Sequence, residues 1–179
     1  TYDGYSEDGF VRRPNSERRD LEIKVVRPQD MPQLVAAGSF DLAITGVDWL
    51  KEHLAKFPSS PVSMAVDLGR SRYSIGPVVH NDFPADTTAQ ALEIWSKLER
   101  PIRIASEYPA LAEAFARDIQ IPRTGIIPIN GASEAFVPED ADILIEGTET
   151  GTSLRANNLK MLDPFLISTN CLISRNSPV

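Results

Sequence analysis

The sequence predicts an α/β protein of two lobes, with mixed, largely parallel sheets. Three observations carry this expectation. Apolar segments of strand length alternate with amphipathic segments of helix length, the pattern of layered α/β domains. A polar stretch containing proline, NDFPADTT (residues 81–88), interrupts the chain near its middle and reads as a crossover. A last apolar run, FLISTNCLISRN, reads as a bent or paired β segment that returns the chain. Residues 1–80 with 167–179 then form one expected lobe and 81–166 the other. A chain that crosses twice leaves a ligand cleft between its lobes.

The elements follow in order. DLEIKVVRP alternates at Leu21, Ile23 and Val25 and predicts a strand stopped by Pro28. Asp30 is the predicted N-cap of a short helix to Ala37, with Gly38 as its stop. DLAITG (41–46) predicts a buried strand, and Asp48 the cap of a helix through WLKEHLAKF. PVSMAVDL and RYSIGPVV predict two strands with a turn at Gly69-Arg70. Thr88 is the predicted cap of AQALEIWSKL, a helix with Leu92, Trp95 and Leu98 on one side. PIRIAS predicts a strand. Pro109 suits the first turn of the helix PALAEAFARD, whose stripe is Leu111, Ala112, Phe115 and Ala116. GIIPING predicts a strand, ASEAFVP a short helix and DILI another strand.

Composition narrows the function. A chain of 179 residues buries a substantial core. Its net charge is −7, and no basic stripe interleaved with aromatics is present, so a nucleic-acid surface is not expected. Arg12, Arg13, Arg18 and Arg19 are mixed with Glu17 and Asp20 and read as a solvated loop. The single cysteine, Cys171, lies in an apolar run and reads as core; a reducing, cytoplasmic setting is the simpler expectation. No apolar run is long enough for a membrane helix, and TYDGYSEDGF does not read as a secretion signal. His53 and His80 lack partners at metal-ligand spacing, and no GxSxG nucleophile elbow occurs.

The chemistry concentrates in DILIEGTETGTSLRANNL (142–159). A strand ends, an acid follows at Glu146, and a loop of glycine and threonine leads into a helical restart. Such a loop aims backbone N–H groups at one point and suits a phosphate. It is equally the composition of an ordinary strand–turn–helix connection. Glu146 is placed to accept hydrogen bonds from the vicinal hydroxyls of a ribose. Arg27 lies just past a predicted strand end, and Arg70 and Arg72 flank a tight turn. Each reads either as a phosphate clamp or as surface charge. Gly131 and Glu134 in INGASE follow another strand and read as a site mouth or a helix cap.

Together these pieces resemble one family. VVRPQDMPQLVAAGSFDLAITGVDWL, VDLGRSRYSI, RIASEYPALAEAFA, INGASEA and DILIEGTETGTSLRANNL follow the order and approximate spacing of the ATP phosphoribosyltransferases, which open histidine biosynthesis. The resemblance implies two α/β lobes like type II periplasmic binding proteins. It implies condensation of ATP with 5-phosphoribosyl 1-diphosphate (PRPP), assisted by Mg²⁺. Thr148, Glu149, Thr150, Gly151, Thr152, Ser153 and Leu154 match the family's PRPP phosphate loop. Glu146 stands where the family usually has Asp, facing the ribose; Glu134 matches the acid after Asn-Gly. Arg27 and Arg72 match arginines directed at phosphates, and Tyr108 belongs to the inner wall of the second lobe. The resemblance also implies a regulatory subunit or a homo-oligomer.

There are departures. Glu146-Gly147 replaces the family's Asp followed by an apolar residue. The N-terminal strand–helix unit with its Lys-Gly-Arg-like run, and the helical tail, have no counterpart here, so a catalytic domain or subunit cut short is the expectation. Two alternatives stand beside it: a non-catalytic ligand-binding or regulatory paralogue, and a secreted solute-binding protein on the same fold.

Overall fold

A computed structural model describes residues 12–176. The chain runs through α1 (Met31–Ala36), β1 (Leu42–Gly46), α2 (Val47–Lys56), β2 (Val62–Asp67), β3 (Tyr73–His80) and α3 (Thr88–Trp95). It continues through β4 (Ile102–Ser106), α4 (Pro109–Asp118), β5 (Thr124–Pro128), β6 (Ile143–Thr148), α5 (Thr152–Ala156), β7 (Leu159–Met161), β8 (Leu166–Ser168) and β9 (Asn170–Arg175).

Two sheets result. The first has the order β1-β9-β2 and is antiparallel throughout. The second has the order β5-β4-β6-β3-β7, with β8 also on β3. It is mixed: β4 is parallel to β5 and β6, whereas β3 is antiparallel to β6, β7 and β8. Sheet membership changes at residues 68–72 and again at Thr169, so β3 lies in the second sheet although it precedes residue 80.

Alternation along β6 builds the core on both faces of the second sheet. Ile143 and Ile145 join Trp95, Ile104 and Phe115 on one side; Leu144 joins Val78, Leu154 and Leu159 on the other. The first sheet buries Val35, Leu50, Val62, Cys171 and Ile173 together. The stripe of α4 is buried as predicted: Leu111, Ala112, Phe115 and Ala116 face inward.

Several expectations are corrected. The strand over residues 21–27 does not form. Its alternation is real, but a strand needs a ladder, and among the described residues the one bond from this segment beyond a local turn is that of the Val25 N–H to the Arg12 carbonyl; Leu21 remains half exposed. Asp30 does not cap α1. Residues Pro28–Asp30 form a 3₁₀ turn, and the Asp30 carboxylate pairs with Arg27 instead. Gly46 takes the N-cap of α2, which leaves Asp48 inside the first turn and buried. Thr87, not Thr88, caps α3, through a capping box with Gln90. Leu98 lies past the end of α3 and is partly exposed. ASEAFVP yields only a 3₁₀ turn at Ser133–Ala135. The last apolar run bends at Thr169 and is shared between the sheets as β8 and β9.

Candidate active site

Topology gathers the chemistry. Strands β4, β5 and β6 are mutually parallel, so their carboxyl ends open on one edge of the sheet, where α/β folds bind ligands. Glu107 and Tyr108 follow β4, Gly131 and Glu134 follow β5, and Glu146 to Ser153 close β6. Strand β3 runs the other way and pairs Ser74 with Thr148, which brings its first residue, Tyr73, and the preceding Arg72 to the same edge.

The loop after β6 is tightly tied. Gly151 adopts φ +71°, a left-handed conformation that glycine takes without strain. Its N–H donates to Thr148 Oγ1 at 2.8 Å. Thr150 Oγ1 and Thr152 Oγ1 share a 2.9 Å hydrogen bond. Arg155 braces the loop from behind: Nη1 donates to the Thr150 carbonyl at 3.0 Å and Nη2 to Thr152 Oγ1 at 3.3 Å. Glu149, Thr150, Thr152 and Ser153 are exposed, whereas Leu154 is anchored in the core. Helix α5 has only five residues, so its macrodipole is small. The N–H groups of its first turn, which lack intrahelical acceptors, are what it offers an anion.

Acids line the other side. Ser153 Oγ donates to Glu134 Oε1 at 3.0 Å, tying the loop to the segment after β5, and Ser133 Oγ donates to Glu134 Oε2 at 3.3 Å. Glu107 accepts the Gly131 N–H and holds the Asn-Gly turn. Glu146 accepts its neighbour's N–H, Gly147 N, at 2.8 Å. Burial raises the Glu146 carboxyl above the ordinary glutamate range; the Ser133 hydroxyl and Gly147 N–H oppose this, and Glu107 and Glu134 add to it. Among the described residues, no three His, Cys, Asp or Glu side chains are placed to hold a metal ion.

The arginines differ. Arg27 is exposed and bidentate to Asp30, at 3.0 and 3.3 Å. Arg70 and Arg72 are also exposed and carry no ion pair among the described residues; Ser71 between them has φ +54°. Tyr108 lies in the seam between the sheets. Its hydroxyl donates to Asp48 Oδ2 at 2.7 Å, and its ring lies 4.3 Å from that of Trp49. Burial, then Asp48, pushes that hydroxyl far above the ordinary tyrosine range.

Several groups here, Glu107 and Ser133 among them, were not expected from the sequence. Asp48 also accepts from Ser168 Oγ at 2.7 Å, joining α2, Tyr108 and β8 in one buried network. One turn further along α2, Glu52 accepts the N–H groups of Ala110 and Leu111, at 3.0 and 2.8 Å, and so caps α4 from the other lobe. The spacing of Asp48 and Glu52, four residues apart on one helix face, was the only available signal. Arg155 stood in LRANNL, but as a pattern of the motif rather than as a brace.

With this geometry in place, the comparisons with known proteins decide the family. The family model described as ATP phosphoribosyltransferase matches residues 27–179. The chain belongs to the ATP phosphoribosyltransferase family. An ATP phosphoribosyltransferase of Chlorobium phaeobacteroides is 32% identical over 168 residues, covering 92% of this chain and 53% of that protein. The chain spans about half the length of the curated relatives it matches. In fold it is similar to the ATP phosphoribosyl transferase (HisG:HisZ) complex from Thermotoga maritima, with a TM-score of 0.73 and 20% identity over 98% of this chain and 76% of that one. It is also similar to the ancestral amino acid-binding protein AncCDT-1, with a TM-score of 0.57 and 16% identity over 89% of this chain and 67% of that one. The expected architecture, α/β with mixed sheets of the periplasmic-binding-protein type, therefore stands, but the sheets are not largely parallel: only the pairings of β4 with β5 and β6 are, because β3 and β9 run against their neighbours. No helix among the described residues is long and apolar enough to cross a membrane.

Proposed function

We propose that this chain carries the substrate cleft of an ATP phosphoribosyltransferase, which joins ATP and PRPP into phosphoribosyl-ATP and diphosphate in histidine biosynthesis. The observation that carries this reading is the braced loop Thr148–Ser153 at the carboxyl end of β6, tied to Glu134 and standing beside Glu146. In this reading the loop N–H groups take the 5-phosphate, and Glu146 takes the ribose diol. Arg72 is free to meet the diphosphate, while Arg27 reaches it by exchanging Asp30 for phosphate. Adenine N1 uses its lone pair to form the bond to the anomeric carbon. The bond from that carbon to the diphosphate oxygen breaks, and its electron pair leaves with diphosphate. A ring nitrogen with a free lone pair needs no strong base, so the protein contributes positioning and charge stabilisation.

Mg²⁺ belongs to the diphosphate in this account. Such an ion is typically held by one or two carboxylates plus phosphate oxygens, and Glu134 and Glu146 are among the carboxylates at this edge that would hold it. Tyr108, with its hydroxyl committed to Asp48, acts by holding the seam. The Thermotoga structure is a HisG:HisZ complex; association with a regulatory subunit or with further copies, in the cytoplasm, belongs to the same proposal. The test is turnover. The full-length protein with ATP, PRPP and Mg²⁺ should yield phosphoribosyl-ATP by mass spectrometry. Binding of both substrates without that product would make it a ligand-binding paralogue instead.

A further inference from the structure

Gly147 is the point at which this chain departs from the family pattern of an apolar residue after the acid, and Tyr73 explains the departure. A Cβ on Gly147 would lie 1.8 Å from Tyr73 Cε1, 2.5 Å from Cδ1 and 2.8 Å from Cζ. The backbone of Gly147 is not left-handed, so its conformation does not demand glycine; the tyrosine ring does. Ile75 pairs directly with Gly147, which makes Tyr73 the diagonal neighbour on the same face. The ring body packs against the core that contains Ile75 and Ile145. The hydroxyl is neither sealed from solvent nor hydrogen-bonded among the described residues. Burial, then Glu146, Asp48, Glu107 and Glu134, pushes that hydroxyl up to about 12, so it remains a donor through the neutral range.

A carboxylate can only accept. A pentose hydroxyl that gives its proton to Glu146 keeps lone pairs that require a donor, and Tyr73, whose ring covers Gly147 beside the Glu146 carboxylate, offers one. We propose that Tyr73 is a substrate-contacting, specificity-determining residue, its hydroxyl donating to one hydroxyl of the pentose diol bound at Glu146, and that position 147 is glycine to admit its ring. This rests on the PRPP reading of the site.

Calorimetric titration with ribose 5-phosphate and its 2-deoxy and 3-deoxy forms tests it. The wild-type chain should bind both deoxy sugars more weakly, and the one lacking the hydroxyl shared by Glu146 and Tyr73 about tenfold more weakly than the other, the worth of the added hydrogen bond. In Tyr73→Phe, which keeps the ring in its notch, that difference should shrink below about twofold, the bond to Glu146 remaining. Equal penalties in the wild type, or an unequal pair unchanged in the variant, would overturn the inference. A wild-type chain that binds none of the three sugars would overturn the PRPP reading itself, a failure visible without any variant. The notch has its own test. Gly147→Ala should lower the Tm by displacing the ring, and adding Tyr73→Ser should restore it without restoring the diol preference; additive losses would show that the ring does not fill the notch.

Discussion

At Glu146 the proposed substrate role and the effect on stability can be measured apart. Burial raises its pKa, so the folded protein holds this proton more tightly than the unfolded chain does. Stability is therefore lost as pH climbs from about 4.3 through the raised folded value, because the unfolded chain gives up its proton first. Glu146→Gln removes that loss, and thermal melts at pH 7 should find the variant at least as stable as wild type. Its affinity for PRPP should nonetheless fall roughly tenfold or more, the worth of a charge-assisted hydrogen bond. Wild-type affinity should also weaken as pH drops into the range where Glu146 protonates, and Glu146→Gln should flatten that part of the profile. A variant that binds PRPP as wild type does would remove Glu146 from the ribose. At this scale the sequence was legible where one residue type does one job, as at Pro109 in the first turn of α4. It was not legible at Asp48, because a polar residue at the head of a helix looks like a cap whether it faces solvent or a buried hydroxyl.

Helix α2 is the element that joins the lobes. Asp48 and Glu52 reach from it to Tyr108 and to the N-terminus of α4. Removing one buried partner leaves the other unsatisfied. Asp48→Ala should therefore cost about 3 kcal/mol in denaturant unfolding, since it strands the hydroxyls of both Tyr108 and Ser168. In a double-mutant cycle, Asp48→Ala and Tyr108→Phe should couple by about 1–2 kcal/mol. Strict additivity would mean that the bridge contributes nothing to the seam. Elements such as α4 and β6 were readable from the sequence because a helical stripe and a continuous apolar run are local patterns. The segment at residues 21–27 was misread for the converse reason: alternation records a preference for extended backbone, whereas a strand also needs a neighbour.

At the scale of the whole molecule, sheet membership was the least legible feature. PVSMAVDL and RYSIGPVV look like a hairpin around Gly69, yet β2 pairs with β9 and β3 with β6. Local sequence shows that a turn exists, and long-range pairing decides which sheet each arm joins. That division matters to function, since it delivers Arg72 and Tyr73 to the edge where β4, β5 and β6 end. The central claim is that this edge holds PRPP through the Thr148–Ser153 loop. Titrating PRPP with Mg²⁺ into the chain by calorimetry, beside Gly151→Val, tests it most directly. A β-branched residue at φ +71° is strained by roughly 1–2 kcal/mol, and its Cβ would lie 2.9 Å from Arg155 Nη1, displacing the brace that shapes the loop. Saturable binding by the wild type that is lost in a variant still folded by circular dichroism is the predicted result. No binding to the folded wild-type chain, or equal binding by the variant, would contradict it.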